Sequence, residues 1–205
     1  MNKNVRERFD LKKMCVLAGQ GEETALEVRQ MIRCADAGMS LMEATVQPNS
    51  LLPPHTHMHT HQAVYVIKGH LTFNLGGDDG HTFEAPQGSY IIKPKRVSHS
   101  FWNTSDDVVT YIELSDNDLF EGFIDSYSDK DMFSAMGDAN VDFGMFTDIE
   151  YAITLMKRHN LTRIEQFGLD FRDKEQIAEI LGSAPGEVVE AFKSTFGPLL
   201  ESMQI

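Results

Sequence analysis

Cysteine is scarce in this sequence, which has Cys15 and Cys34 as its only two among 205 residues. Small secreted domains that depend on disulfides carry several cysteine pairs, so a disulfide framework is excluded. We expect both thiols to be free and the protein to be cytoplasmic, where thiols stay reduced.

Basic residues are also few, with 18 lysines and arginines against 31 aspartates and glutamates and a formal net charge of −13. A field of this sign repels phosphate backbones and anionic lipid headgroups. We therefore expect a small-molecule substrate or ligand as the partner, and neither nucleic acid nor a membrane surface.

Long apolar runs are missing as well. No stretch approaches the roughly 18 consecutive apolar residues that a membrane-spanning helix needs. The opening residues, MNKNVRERFDLKK, are charged and lead into no apolar run of the kind found in signal peptides. We expect neither a membrane span nor a signal peptide.

The pattern of apolar and polar residues along the chain changes near Ser115. Before this residue, short runs rich in β-branched and aromatic residues alternate with clusters of Pro, Gly, Asp and Asn, at the spacing typical of a sandwich or barrel. The predicted strands are 39–46, 63–69, 70–76, 89–94 and 108–114.

Beyond that point the apolar residues follow a helical period. Thr147 with Glu150, and Asp173 with Gln176, have the spacing of capping boxes at two helix starts. Gly182 is predicted to end the second of these helices.

The sequence therefore predicts an N-terminal arm at 1–27, a β-barrel at 28–115 and a helical extension at 116–205. The apolar stripes of the helices need a partner surface. The barrel's outer face, the other helices or a second copy of the chain provides it, so a homodimer is one expectation.

The segment PPHTHMHTHQ (53–62) places four histidines in seven positions. In an extended strand alternate residues share a face, so His55 and His57 point the same way, about 7 Å apart along the backbone. Two imidazoles so placed can bind one metal ion. The residues 58–61 can turn the chain, so that Gln62 brings a further ligand from the neighbouring strand.

The segment GSYIIKPKRVSHSFWN (88–103) has the pattern of a strand, a turn and a second strand. Gly88 can supply a turn, and Pro94 ends ladder pairing. His99 then points to the same side as Phe101 and can complete a ligand set with one or two open positions. Open positions are typical of a reactive metal site rather than a structural one.

These two segments resemble the paired motifs of the cupin superfamily. The first motif is Gly, five residues, His-x-His, three or four residues, Glu, six residues and Gly. This chain has Asn49, His55, His57, Gln62 and Gly69 at those spacings.

The second motif is Gly, five residues, Pro-x-Gly, two residues, His, three residues and Asn. Gly88, Pro94, Arg96, His99 and Asn103 follow it. The resemblance covers about a third of the chain, and the wider run is most similar to the small single-domain quercetinase-like cupins.

The resemblance implies a mainly β fold, the cupin double-stranded β-helix or jelly-roll barrel, here with the C-terminal α-helical extension. It also implies one divalent transition metal, Fe(II), Mn(II), Ni(II), Co(II) or Zn(II), and no nucleotide cofactor. The implied metal ligands are His55, His57, Gln62 and His99.

Gln62 stands where the motif has Glu. An amide oxygen can bind a metal but cannot take up a proton, so a mechanism with a metal-bound Glu as base is in doubt. The ion also keeps its full charge, which favours anionic substrates. Two alternatives stay open: Gln62 is an uncoordinated amide beside the metal, or His59 or His61 replaces it as ligand.

Arg96 and Phe101 are the candidate substrate-binding residues, and no catalytic residue is assigned. Arg96 in place of Gly either gives the turn another geometry or puts a cation near the barrel mouth. It would bind a substrate carboxylate there, unless it is a solvated turn residue. Phe101 is either a pocket wall or part of the core.

The metal centre predicts an enzyme that acts on a small oxygen-rich substrate, and the resemblance implies a dioxygenase. The alternatives are a non-redox isomerase, decarboxylase or lyase acting on a hydroxy- or keto-acid, and a non-catalytic metal- or ligand-sensing cupin. Because imidazole binds metal only when neutral, the metal affinity is expected to fall as the pH drops through about 6.5.

Overall fold

The computed structural model describes residues 15–24, 28–34, 38–127, 139, 141–165, 168–183 and 185–203. Most of the predicted arm at 1–27 therefore lies outside the described residues. Cys15 is an exposed free thiol, and only the backbone of Cys34 is described. No helix within the described ranges is both long enough and apolar enough to cross a membrane.

Strands make up most of the described chain before residue 116. In chain order the strands are β1 (Glu22–Glu23), β2 (Val28–Cys34), β3 (Met39–Val46), β4 (Ser50–His57), β5 (Gln62–Lys68), β6 (His70–Leu75), β7 (His81–Pro86), β8 (Tyr90–Lys93), β9 (His99–Asn103), β10 (Val109–Ser115), β11 (Met145–Thr147), β12 (Arg163–Ile164) and β13 (Leu169–Asp170). The helices are α1 (Leu119–Tyr127), α2 (Ile149–His159), α3 (Lys174–Ser183) and α4 (Gly186–Ser202). Each predicted strand agrees with an observed one to within a residue at either end.

The strands form two sheets, in the orders β1-β2-β3-β10-β5-β8 and β13-β12-β4-β9-β6-β7, and β11 also pairs with β4. The strands that carry the predicted histidine ligands, β4 and β9, are neighbours in the second sheet. Gln62 begins β5 in the first sheet. The histidines of β4 and β9 can therefore meet Gln62 only in the space between the two sheets.

Apolar side chains from alternate strand positions fill the space between the sheets. In β3, Met42, Ala44 and Val46 are buried, whereas the residues between them are partly exposed. They share one cluster with Leu71 and Phe73 from β6 of the opposite sheet. Burying a side chain as large as Phe73 or Leu71 contributes roughly 1.5–3 kcal/mol to stability.

The C-terminal helices pack on the second sheet through a separate apolar cluster. Leu51 of β4 and Trp102 of β9 are cross-strand partners, and both are buried. They belong to the same cluster as Leu155 of α2 and Phe192 and Phe196 of α4. The apolar stripes of these helices are thus covered by the barrel.

Two predicted helix boundaries can be compared with the structure. Asp148, not Thr147, caps α2, because Thr147 still belongs to β11 and the Asp148 carboxylate accepts a backbone N–H of the first turn. The predicted capping box at Thr147 is therefore wrong. Asp173 does cap α3 as predicted, but α3 continues one residue past Gly182.

Short strands from the part predicted to be helical also join the barrel. β11 pairs with β4 so that Thr147 lies opposite His55 and Met145 opposite His57. β12 runs parallel to the start of β4. Strands of two or three residues have no periodicity that a sequence could display, so they were not predicted.

Candidate metal centre

His55, His57 and His99, called the histidine cluster below, come together between the sheets. His55 and His57 end β4, and His99 begins β9 directly opposite His55. All are buried, at 3%, 4% and 1% exposure, and their ligand atoms lie within 4.8 Å of one another. The sequence-based expectation that these imidazoles meet at one point is confirmed.

Backbone carbonyls fix how two of these rings are protonated. His55 Nδ1 lies 2.8 Å from the carbonyl oxygen of Pro53, and His99 Nδ1 lies 3.1 Å from that of Val97. A carbonyl oxygen only accepts, so each Nδ1 carries the proton and donates it. The Nε2 atom of each neutral ring therefore has a free lone pair, which is the arrangement found in metal-binding histidines.

The two free nitrogens face each other, and this tests whether a metal fits. The Nε2 atoms of His55 and His99 are 3.1 Å apart. Two nitrogens bound to one ion at about 2.1 Å would have this separation at an angle near 95°. His57 Nε2 is buried and has no hydrogen-bond partner among the described residues. The donor set therefore fits a divalent transition metal.

The surroundings keep the histidine cluster neutral. Burial lowers the pKa of His55 from 6.5 to about 4, assisted by the positive charge of Lys93. Burial also holds the pKa values of His57 and His99 well below 6.5, and His55 and Lys93 add to the effect. We therefore expect proton competition for the metal to begin below the pH of about 6.5 that the sequence alone suggests, and this pH dependence stays a prediction.

Gln62 is buried, and its amide nitrogen is fully engaged. Nε2 donates to Glu113 Oε1 at 2.6 Å and to Ser115 Oγ at 3.2 Å. The amide oxygen, Oε1, is buried and has no hydrogen-bond partner among the described residues. This network fixes the orientation of the amide and leaves a free oxygen, as a carbonyl ligand requires. Its coordination of the metal stays a prediction.

Lys93 and Glu113 form a buried ion pair that sequence reasoning missed. Lys93 is 1% exposed and Glu113 5% exposed, and Lys93 Nζ donates to Glu113 Oε2 at 2.5 Å. The ammonium also lies 5.9 Å from the centre of the Phe101 ring. The signal available in the sequence was that Glu113 and Ser115 occupy alternate positions, and so one face, of a mostly apolar strand.

A cavity between the sheets adjoins both His55 and the ion pair. Its polar lining comes from Thr45, His55, Lys93, Tyr111, Glu113 and Glu165, and its apolar lining from Val28, Met42, Ala44, Leu52, Phe120, Phe123 and Ile124. Burial and the negative charges of Glu113 and Glu165 raise the pKa of Tyr111 well above 10, so this phenol stays protonated.

Helix α1 covers one side of this cavity. Phe120, Phe123 and Ile124 of α1 line it, and the Phe120 ring lies edge-on to His57 with centroids 5.5 Å apart. Arg33 of β2 binds Asp125 of α1 at 2.5 Å, which holds the helix against the first sheet. Apolar side chains therefore shield the histidine cluster from bulk water on this side.

The two candidate substrate-binding residues lie in different surroundings. Phe101 is fully buried and packs between Phe73 and Tyr111, at centroid distances of 4.7 and 5.3 Å. Arg96 is exposed, and its backbone N–H donates to the His57 carbonyl at 2.7 Å. Its φ of +66° is the left-handed conformation that glycine adopts readily. Both substrate roles stay predictions.

His59 and His61 are exposed and lie outside the histidine cluster. His61 Nδ1 instead accepts the backbone N–H of Lys95 at 3.3 Å. Among the His, Cys, Asp and Glu side chains that the structure describes, those placed to share a metal are His55, His57 and His99. Asn49, which stands where the first motif has Gly, has a φ of +57°, a left-handed conformation that Asn tolerates.

Comparison with known proteins agrees with this architecture. Residues 42–115, just over a third of the chain, match the model of the cupin domain. The fold is therefore a mainly β cupin sandwich with C-terminal helices, as predicted. No curated protein matches the sequence.

Among solved structures, the polyketide cyclase RemF from Streptomyces resistomycificus is 28% identical, with a TM-score of 0.38 over 43% of this chain and 62% of RemF. An uncharacterized conserved protein with a double-stranded beta-helix domain from Klebsiella pneumoniae is 13% identical, with a TM-score of 0.38 over 52% of this chain and 86% of that one. The capsular polysaccharide assembling protein CapF from Staphylococcus aureus is 15% identical, with a TM-score of 0.41 over 44% of this chain and 26% of CapF. The chain thus spans less than two thirds of RemF and about a quarter of CapF.

Proposed function

We propose that this protein is a metal-dependent enzyme that acts on a small, oxygen-rich organic substrate. The observation that carries the proposal is the pair of unprotonated Nε2 atoms of His55 and His99, which face each other at 3.1 Å inside the barrel. Two lone pairs this close repel each other unless a cation or a proton lies between them. The depressed pKa values of both rings argue against the proton.

His55, His57 and His99, with the Gln62 amide oxygen, would hold the ion. Imidazole nitrogen suits Fe(II), Mn(II), Ni(II), Co(II) and Zn(II), and leaves one or two positions free for a substrate. When bound, such an ion supplies Lewis acidity toward substrate oxygens and, if it is redox-active, access to O2 chemistry. The proposed ligands carry no net charge, so an anionic substrate would balance the positive charge of the ion.

The leading reaction is oxygenation of an enediol-like substrate, in keeping with the resemblance to quercetinase-like cupins. The apolar side chains of α1 would keep bulk water away from the reacting atoms. The cavity beside His55, at about 40 Å³, has room for a substrate of only a few heavy atoms.

A second candidate is a non-redox isomerase, decarboxylase or lyase. The buried Lys93–Glu113 ion pair favours it, because charged groups next to a Lewis acid suit reactions that pass through an enolate. Gln62 weakens the oxygenase by comparison, because an amide cannot act as the base that a metal-bound Glu would supply there.

Elemental analysis of the purified full chain, followed by assays of metal-free and metal-loaded protein, tests the proposal. O2 uptake with a panel of enediols reports the oxygenase, and anaerobic turnover of hydroxy- and keto-acids reports the non-redox enzyme. We expect near-stoichiometric metal and turnover only in the loaded protein. The matched control is His59→Ala, which should keep both properties, whereas His55→Ala should lose both.

Protein that cannot be loaded with any of the five metals would overturn the proposal. So would turnover that survives removal of the metal. Ligand binding at the metal-loaded centre without turnover of any panel substrate would favour a sensing cupin over an enzyme.

A further inference from the structure

We infer that Lys93 binds a carboxylate group of the substrate, and that the substrate is therefore an α-hydroxy- or α-keto-acid. The adjacent hydroxyl or keto oxygen would face the metal held by the histidine cluster. This inference rests on the proposed function, in its second, non-redox form, and adds the residue that would recognise the carboxylate of such an acid.

The ammonium group of Lys93 lies close to the proposed metal centre. Lys93 ends β8 with its side chain directed between the sheets, and it lines the same cavity as His55. A ligand in this cavity can therefore contact the ammonium and the metal centre together.

The Lys93 ammonium has N–H donors that its protein partners do not use. An ammonium group has three N–H donors. Among the described residues, Glu113 is its one hydrogen-bonding partner. The Phe101 ring, 5.9 Å from Nζ, offers only its π face. Two donors are therefore left for a ligand, and an anionic oxygen is the acceptor that an ammonium binds most strongly.

Stability alone does not account for burying this ion pair. Removing two charges from water costs several kcal/mol per ion, and apolar side chains of similar size stabilise a core equally well or better. β8 is the edge strand of its sheet, where a lysine could have pointed outward into solvent. Its outward neighbours are instead Tyr90 and Ile92, exposed at 80% and 61%. An inward lysine beside apolar residues that face solvent indicates a role in the cavity.

Glu113 is a positioning residue in this arrangement. Its Oε2 holds the ammonium and its Oε1 holds the Gln62 amide nitrogen, so one carboxylate fixes both a proposed metal ligand and the proposed carboxylate-binding group. Replacing Lys93 alone would leave the Glu113 charge buried and unpaired. The informative variant is therefore the double substitution Lys93→Met with Glu113→Gln, which removes both charges and keeps an acceptor for Gln62.

The experiment is calorimetric titration of the Zn(II)-loaded full chain with glycolate and with its neutral analogue glycolamide. In the double variant we expect glycolate affinity to fall about tenfold or more, as for loss of a hydrogen bond to a charged group. Glycolamide affinity and zinc content should stay unchanged. Lys95→Met, which removes an exposed lysine two positions away, is the matched control and should bind glycolate like the wild type.

Each other result counts against the inference. Equal glycolate affinity in the double variant and the wild type would show that Lys93 does not bind the carboxylate, while the metal centre would stand. Equal loss for glycolate and glycolamide, or loss of zinc from the double variant, would show that the pair supports the metal ligands instead. Failure of the wild-type chain to bind Zn(II), Fe(II), Mn(II), Ni(II) or Co(II) would contradict the proposed function itself.

Discussion

The Nε2 atoms of His55 and His99 lie 3.1 Å apart on paired strands, and the other nitrogen of each ring contacts a backbone carbonyl oxygen. Cross-strand pairing brings the rings together, and the carbonyls decide which nitrogen is left without a proton. The sheet and the local backbone thus prepare a pair of ligand atoms before any ion is considered.

The first prediction concerns the ligand from the second motif. Replacing His99 by Ala removes one of the facing nitrogens, so we expect metal affinity to fall by at least about 100-fold. The measurement is competition with a chromophoric chelator, checked by elemental analysis after dialysis. Because His99 is 1% exposed, circular dichroism should be recorded alongside to verify the fold.

His61→Ala is the control for this experiment, since it removes an exposed histidine from the same His-rich segment, residues 53–62. It should keep the wild-type affinity. Full metal retention by His99→Ala, or an equal loss in His61→Ala, would show that the ion binds elsewhere.

The second prediction is the pH dependence of metal binding. Protons and metal compete for the same nitrogens, and a lowered pKa means that the folded site holds protons more weakly. With the pKa of His55 at about 4, affinity should stay nearly constant as the pH falls from about 7 to 5, and decline only below that. Titrations at a series of pH values measure this directly.

A synthetic peptide of residues 53–62 provides the comparison, because its solvated histidines titrate near the ordinary value of about 6.5. Its affinity should already fall through that pH. If the protein and the peptide lose affinity in parallel, burial does not protect the histidine cluster from protonation.

The third prediction concerns Gln62 and Glu113, whose side chains are joined by a 2.6 Å hydrogen bond. Gln62→Glu replaces the donor with a second carboxylate, so we expect a loss of about 1–3 kcal/mol in the unfolding free energy of the metal-free protein. Exchanging the two residues, Gln62→Glu with Glu113→Gln, restores one donor and one acceptor and should recover much of this loss.

Urea denaturation of the wild type, both single variants and the double variant completes the thermodynamic cycle. We expect a coupling energy of at least about 1 kcal/mol. Strictly additive effects would mean that the two side chains do not interact, and that Glu113 does not fix the orientation of the Gln62 amide.

The fourth prediction tests the backbone at Arg96, which has a φ of +66°. A side chain with a Cβ is disfavoured there, whereas glycine is not, so Arg96→Gly should be more stable than Arg96→Ala by roughly 0.5–1 kcal/mol. Both variants remove the same charge, and thermal unfolding of the pair isolates the backbone effect.

Lys95, whose φ is not positive, serves as the matched position. There the order should reverse, with Lys95→Ala more stable than Lys95→Gly. The same order at both positions would argue against a strained turn before His99.

The histidine cluster could be predicted because its spacing follows from strand geometry. His55 and His57 share a face in any extended segment, and the second motif placed His99 on a further strand of the same barrel. Gln62 was placed at the start of the next strand, where it lies. Two patterns in the right order were enough to infer the barrel without knowing its registers.

The inward orientation of Lys93 and Glu113 could not be predicted because the residues that alternate with them include aliphatic ones. In β10 the partly exposed or exposed residues Ile112 and Leu114 are more apolar than the buried Glu113. In β8, Ile92 faces outward and Lys93 inward. An alternation rule would put the aliphatic residues inside and the charges outside. Only the pairing of β8, β5 and β10 establishes which face is turned inward.

The strand that bears His55 and His57 has hydrogen-bonded neighbours along both of its edges. β9 occupies one edge, and the other is occupied by β12 and β11, with Asp148 N–H donating to the Pro54 carbonyl at 2.8 Å. A fragment cut to residues 42–115 would strip that second edge and offer its bare backbone to other chains. The smallest unit that can keep its ligand-bearing strand intact is therefore longer than the domain match, and it extends at least through residue 164.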